Sequence, residues 1–206
     1  MQNLETILGA TAGRPSRIHL SKVPARLQPH LEPLAVDGWV AIPSLQRHEK
    51  AWPQSRIPAW FHLVPGKPAL KWTRPDGHVG PHYAELIVQD LLRQGGWESV
   101  WVKYWGHRRF WRGLDRHGPI EVELPVRPRA LIGTIDRLVV DATGRRPTAI
   151  PGGCWDIFAW RCGPRWLFLE VKEPGEGFSE NQPAWLAASL AAGVPFESFG
   201  VVEYRY

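Results

Sequence analysis

Two neighbouring stretches of the chain alternate apolar and polar residues with a period of two, and most of the rest repeats at helical spacing or breaks on proline and glycine. In C-W-D-I-F-A-W-R, residues 154–161, the alternation puts Asp156, Phe158 and Trp160 on one face. In W-L-F-L-E-V-K, residues 166–172, it puts Trp166, Phe168, Glu170 and Lys172 on one face. A three-residue turn, Cys162-Gly163-Pro164, would pair Arg161 with Arg165, and counting outward from there sets Asp156 opposite Glu170 with Cβ atoms about 5 Å apart. Upstream, Pro81 to Gln94 opens on proline, closes on Gly95-Gly96 and carries Ala84, Ile87, Val88, Leu91 and Leu92 on one side, which predicts a helix. Val100–Trp105, Ile120–Leu124 and Leu131–Val140 are predicted strands on their Val, Ile and aromatic content. A helix over Ser179–Ala192, ended by Gly193, and a last strand over Phe196–Tyr204 follow. This order predicts an α/β core, a mixed sheet flanked by helices, over residues 79–206. Residues 1–78 are a Pro/Trp-rich N-terminal extension with little periodicity, expected to form short strands joined by turns, either a small accessory lobe or an arm around the main domain.

Composition narrows the class. With 206 residues and 44% hydrophobic content the chain can bury an ordinary core without covalent staples. Its two cysteines, Cys154 and Cys162, make neither a disulfide framework nor a zinc site alone, which suits a reduced, cytoplasmic setting. No apolar run approaches the roughly 20 residues of a membrane span, so no membrane partner is expected. A formal charge of +5 favours a polyanionic partner, because a basic surface releases counterions on a phosphate backbone. Twelve tryptophans are many for this length, and they serve as core filler, as base-stacking surfaces or as both.

Candidate chemistry begins with the hairpin. Two carboxylates placed opposite each other repel, and a divalent cation between them reverses that sign; Mg²⁺ prefers such a pair completed by water and substrate phosphate. Lys172, two residues beyond Glu170, could then steer or deprotonate a water or stabilise charge on a phosphate. The competing reading leaves Asp156 and Glu170 at solvated strand ends with Lys172 as their ion-pair partner. Lys103, Arg108, Arg109 and Arg112 interleave with aromatics in K-Y-W-G-H-R-R-F-W-R, a pattern that grips phosphates and stacks on bases, or equally a twisted surface hairpin with snorkelling arginines. Ser179 and Gln182 have the spacing of a capping box. Gly175-Glu176-Gly177 lacks the third glycine of a dinucleotide loop, and Gly80-Pro81 breaks any helical face shared by His78 and His82.

The run E-V-K-E-P-G-E-G-F-S-E-N-Q-P-A-W-L-A-A-S-L-A-A-G-V-P resembles the VRR-NUC family of PD-(D/E)XK nucleases, whose pattern is E-V-K, a Pro-Gly loop, S-x-x-Q, then Trp and a helix ending in Gly. The similarity covers residues 152–203 and extends to the helix from Pro81. It implies a restriction-endonuclease-like core, with Asp156, Glu170, Lys172 and Gln182 as catalytic residues and Glu85, Asp156, Glu170 and Val171 as the metal set. Mg²⁺ or Mn²⁺ is the implied cofactor. The implied activity is hydrolysis of phosphodiester bonds in branched, flapped or otherwise structured DNA, as in repair, with a homodimer left open. Two departures stand out. Trp155-Asp156 replaces the usual Pro-Asp, and residues 106–151 read as an insertion between the first and second core strands. That insertion offers a rival acid, Asp136 in G-T-I-D-R-L; Asp156 ranks ahead because its hairpin reaches Glu170 without a long excursion. The rival functions are a non-catalytic nucleic-acid-binding module of the same fold and a restriction-type endonuclease.

Overall fold

The computed structural model describes residues 2–48, 61–63, 70–73, 79–105, 107–115, 118–144, 153–163 and 165–205; side chains 2–3, 61–63, 70–73, 79–83, 103–109, 114–119 and 205 lie outside the description. In chain order the elements are α1 (Gln2–Leu8), β1 (Thr11–Ala12), β2 (Ser16–His19), β3 (Ala35–Val36), β4 (Trp39–Ile42), β5 (Ser44–His48), β6 (Phe61–Leu63), β7 (Leu70–Thr73) and β8 (Val79–His82). Then come α2 (Tyr83–Gln94), β9 (Glu98–Trp105), β10 (His107–Asp115), β11 (Gly118–Glu121), α3 (Val126–Thr143), β12 (Ile157–Arg161), β13 (Arg165–Lys172), α4 (Gln182–Ala191) and β14 (Phe199–Arg205).

Eight strands form one sheet in the order β1-β5-β14-β13-β12-β9-β10-β11. The β13–β14 and β14–β5 pairs are parallel and the other pairs antiparallel, so the α/β architecture with a mixed sheet is the one expected. Strand alternation divides the core in two. Val100, Phe158, Phe168, Phe199 and Val201 face α3 and α4, while Trp101, Ile157, Ala159, Leu167, Leu169 and Val202 face α1 and α2. On the first side Phe158 stacks on Phe168 and Phe168 on Phe199, at centroid separations of 4.7 and 5.2 Å, with Trp185 of α4 edge-on to Phe168 at 5.1 Å. Pairs of this kind add about 0.5–1.5 kcal/mol each beyond burial. They clamp β12, β13 and β14 in register beneath α4.

Four expectations require correction. Leu131–Val140 is not a strand but the middle of α3: its buried residues Pro128, Ile132, Ile135 and Val139 recur at spacings of four, three and four, a helical stripe, and residue type had outweighed spacing. Pro128 is tolerated because the first helical turn needs no internal N–H donor, and Gly144, at φ 65°, closes the C-terminus. Asp136 therefore rides on a helix and is not a strand acid. The helix expected from Pro81 starts at Tyr83, since Pro81 belongs to β8, an edge strand where a missing N–H is harmless. The strand expected over Ile120–Leu124 spans Gly118–Glu121, and the helix expected from Ser179 begins at Gln182.

Residues 2–48 are joined to the main sheet from both sides of the boundary expected near 78. Strand β5 lies parallel to β14, α1 packs on α2, and Leu27, Leu31, Val40 and Ile42 enter the same core as Trp185. The stretch expected as an insertion supplies β10 and β11, which extend the sheet beyond β9, and α3, which packs on α4. Among the described residues no helix is long and apolar enough to cross a membrane.

Candidate active site

The β12–β13 register is the one that the turn length predicts: Arg161 opposes Arg165 and Ile157 opposes Leu169. The ladder stops there. Beyond it Trp155 turns into the core against Phe178 and Phe199, at 5.7 and 5.1 Å, and this divergence opens a cleft at the end of the sheet. Asp156 stands at its mouth, opposite Glu170 by continuation of the register. Its carbonyl accepts from the Val102 N–H at 2.7 Å, which ties the departing chain to β9.

Two bonds join Asp156 to β13 across the gap. The Asp156 N–H donates to Glu170 Oε2 at 3.3 Å, and Asp156 Oδ2 accepts from the Val171 N–H at 3.0 Å. Lys172 Nζ lies 3.2 Å from Glu170 Oε1 and 4.0 Å from Glu176 Oε1, with its charge 5.5 Å from the Phe178 ring. Gln182, at the first position of α4, accepts from the Ser179 N–H through Oε1 at 2.7 Å; the anticipated capping box is not formed, because the N-cap is Asn181 and not Ser179. That bond occupies the amide oxygen and leaves the NH₂ group as the donor, on a side chain that shares the cleft with Glu170 and helps to hold down its pKa. Glu85, in the first turn of α2, reaches the same cleft from the opposite layer. The cleft measures about 380 Å³ and is lined by all five of these side chains, together with Trp101, Cys154 and Phe178.

Glu85, Glu170, Lys172 and Gln182 are all buried, between 4 and 7% exposed. Asp156 keeps some surface as a residue, but its carboxyl is enclosed: burial first, then the Glu170 charge, then that of Glu85 hold it well above the usual carboxylate range, against the Val171 N–H and Lys172. Burial also raises Glu170, opposed by Lys172, Gln182 and the Asp156 N–H. Three enclosed acids and the exposed Glu176 line the cleft with one lysine. If all were ionised the four carboxylates and one ammonium would give a net charge of −3, and the donors are oxygens, the hard ligand set that suits Mg²⁺ or Mn²⁺. Val171 fits as well: N–H and C=O of one strand residue point to the same side, so its carbonyl leaves β13 on the Asp156 side. In their present poses, however, among the described residues, no three His, Cys, Asp or Glu side chains are grouped closely enough to hold an ion. Both Glu170 oxygens are engaged, one by Lys172 and the other by the Asp156 N–H.

The basic segment runs along the β9–β10 hairpin, where the backbone of Lys103 directly follows Val102 at the Asp156 end of the sheet. Arg109 opposes Lys103 and Arg108 opposes Tyr104 along the β9–β10 hairpin, while the side chains of Lys103, Arg108 and Arg109 lie outside the described residues. Arg112 pairs with Glu98 at 2.6 Å, and Glu98 opposes Trp160 at the turn end of β12, the end remote from Asp156. Sequence reasoning missed Glu176 and Phe178 as neighbours of Lys172; the spacing of Glu176 four after the lysine, across a Pro-Gly turn, was the available signal. Fold and site together define an α/β protein with a mixed sheet, flanked by helices, whose acidic cleft opens where two central strands part. No family model, curated protein or solved structure matches the chain.

Proposed function

We propose that the chain is a metal-dependent nuclease of the PD-(D/E)XK type, hydrolysing phosphodiester bonds in DNA, with structured or branched DNA as the substrate the sequence resemblance implies. The observation that carries this reading is the convergence of Glu85, Asp156 and Glu170 with Lys172 in one buried cleft, an excess of negative charge that costs stability unless a cation balances it. Asp156 and Glu170, with Glu85 and the Val171 carbonyl, would hold Mg²⁺ or Mn²⁺. Such an ion supplies positive charge that polarises the scissile phosphate. Lys172 orients or deprotonates the attacking water, or stabilises charge on the phosphate. Because Glu176 as well as Glu170 lies within 4.0 Å, its ammonium stays at the cleft when Glu170 is engaged elsewhere. Gln182, fixed by Ser179, faces the same cleft as Glu170 and offers its NH₂ group there as a donor.

One observation favours a second reading, a nucleic-acid-binding module of the same fold without turnover: Lys172 already neutralises Glu170 and could stand in for an ion. A panel of labelled single-stranded, duplex, flapped and branched DNAs, incubated with and without Mn²⁺, separates the two. Mn²⁺-dependent cutting is the expected result. Binding without cutting under every condition would favour the module.

A further inference from the structure

A second concave surface lies at the turn end of the β12–β13 hairpin. It is a groove of about 440 Å³, within the roughly 300–1,000 Å³ of small-molecule pockets, between that hairpin and the start of α3. Trp160 and Trp166, a directly opposed cross-strand pair, form one wall; both are half-buried, anchored by Phe158 at 5.3 and 6.0 Å, and so present fixed ring surface. Pro125 and the 80% exposed Val126 form the other. A smaller hollow, lined by Arg112, Glu123 and again Trp160 and Pro125, adjoins it.

Charge decides the occupant. The two carboxylates along these hollows are already paired, Glu98 with Arg112 at 2.6 Å and Glu123 with Arg129 at 3.3 Å. Arg127 is exposed and has no carboxylate partner among the described residues. Arg161 is pinned by the carbonyls of Gly95 and Gly96 and by the Trp97 ring at 4.6 Å, none of which cancels its charge. An aromatic wall beside two unbalanced arginines matches a ligand that is planar at one end and anionic at the other, which a proline-rich peptide is not.

We propose that this groove binds nucleotides of a single strand, a base against Trp160 and Trp166 and a phosphate toward Arg127, at a site separate from the acidic cleft. Four residues of strand separate Trp160 from Asp156, about 13 Å. The inference does not depend on the cleft being catalytic.

The test is fluorescence anisotropy of labelled dT15 without divalent metal, so that binding is read with no turnover. Trp160→Ala should weaken binding about 5-fold to 150-fold, the range for losing one base–aromatic stack. Arg127→Gln, on an exposed side chain, should weaken it and flatten the dependence of log K on log salt by about 0.7. Glu170→Gln should leave it no weaker, which keeps failure here distinct from failure of the nuclease reading. Should Trp160→Ala melt below the assay temperature, Arg127→Gln decides alone. Wild-type affinity and salt slope in folded Arg127→Gln, or a proline-rich peptide that binds the groove while dT15 does not, would overturn the proposal.

Discussion

At Asp156 a single carboxyl feels three unfavourable influences at once, and its response to pH follows from their sign. Burial, Glu170 and Glu85 raise its folded-state pKa above the value it has in the unfolded chain. Between the unfolded value and that raised one, the folded protein holds a proton that the unfolded chain releases. The stability linked to that proton is complete below the ordinary carboxylate range, near pH 4, and is lost as pH rises through the raised folded value. Metal-free Asp156→Asn should consequently melt above wild type at neutral pH, and its advantage should shrink as the solution is acidified; thermal melts across pH 4–8 measure this. A constant difference across that range would mean that the carboxyl is not strained. Lys172 answers to a different measurement. Lys172→Met should slow single-turnover cleavage about 10²-fold or more with little change in substrate affinity, the pattern of a group acting in the transition state. Lys172→Arg keeps the charge but cannot act as a base, so its rate separates the two roles.

Among the elements, the hairpin was legible because period two and a three-residue turn leave a single register, and that register alone brings Asp156 to Glu170. Helix α3 was misread because Ile132, Ile135 and Val139 are β-branched; their spacing held the better information. The approach of Glu85 could not be read from local pattern, since α2 lies on the other face of the sheet and only tertiary packing brings its first turn round to the cleft. Nor was the groove at Trp160 and Trp166 legible, being assembled from residues near 98, 112, 127 and 161. The loop before β12 carries its own prediction. Gly153 has φ 117°, and a Cβ there would meet the Asn181 carbonyl oxygen at 2.6 Å, closer than real Cβ contacts come. Gly153→Ala should push the start of α4 away from the cleft wall, lowering the melting temperature and misplacing Gln182; a variant with unchanged melting and unchanged activity would show that the contact relaxes freely.

Across the whole molecule, the length of the β12–β13 hairpin separates two surfaces of different character. The acidic cleft lies where β12 parts from β13, and the arginine- and tryptophan-bearing groove lies at the hairpin's other end. A basic chain with Glu85, Asp156, Glu170 and Glu176 gathered at one cleft fits a polyanionic substrate drawn in by long-range charge, with the local repulsion relieved by a bound cation. Mn²⁺ should therefore raise the melting temperature, by an amount that grows with metal concentration and largely disappears in Glu170→Gln. The most direct test of the central claim is the single-turnover rate of branched-DNA cleavage in Mn²⁺ by wild type and by Asp156→Asn, both shown to be folded and to bind the substrate. Metal-dependent cleavage by wild type with none by Asp156→Asn is the expected result; cleavage by the variant at the wild-type rate would contradict the assignment of the cleft.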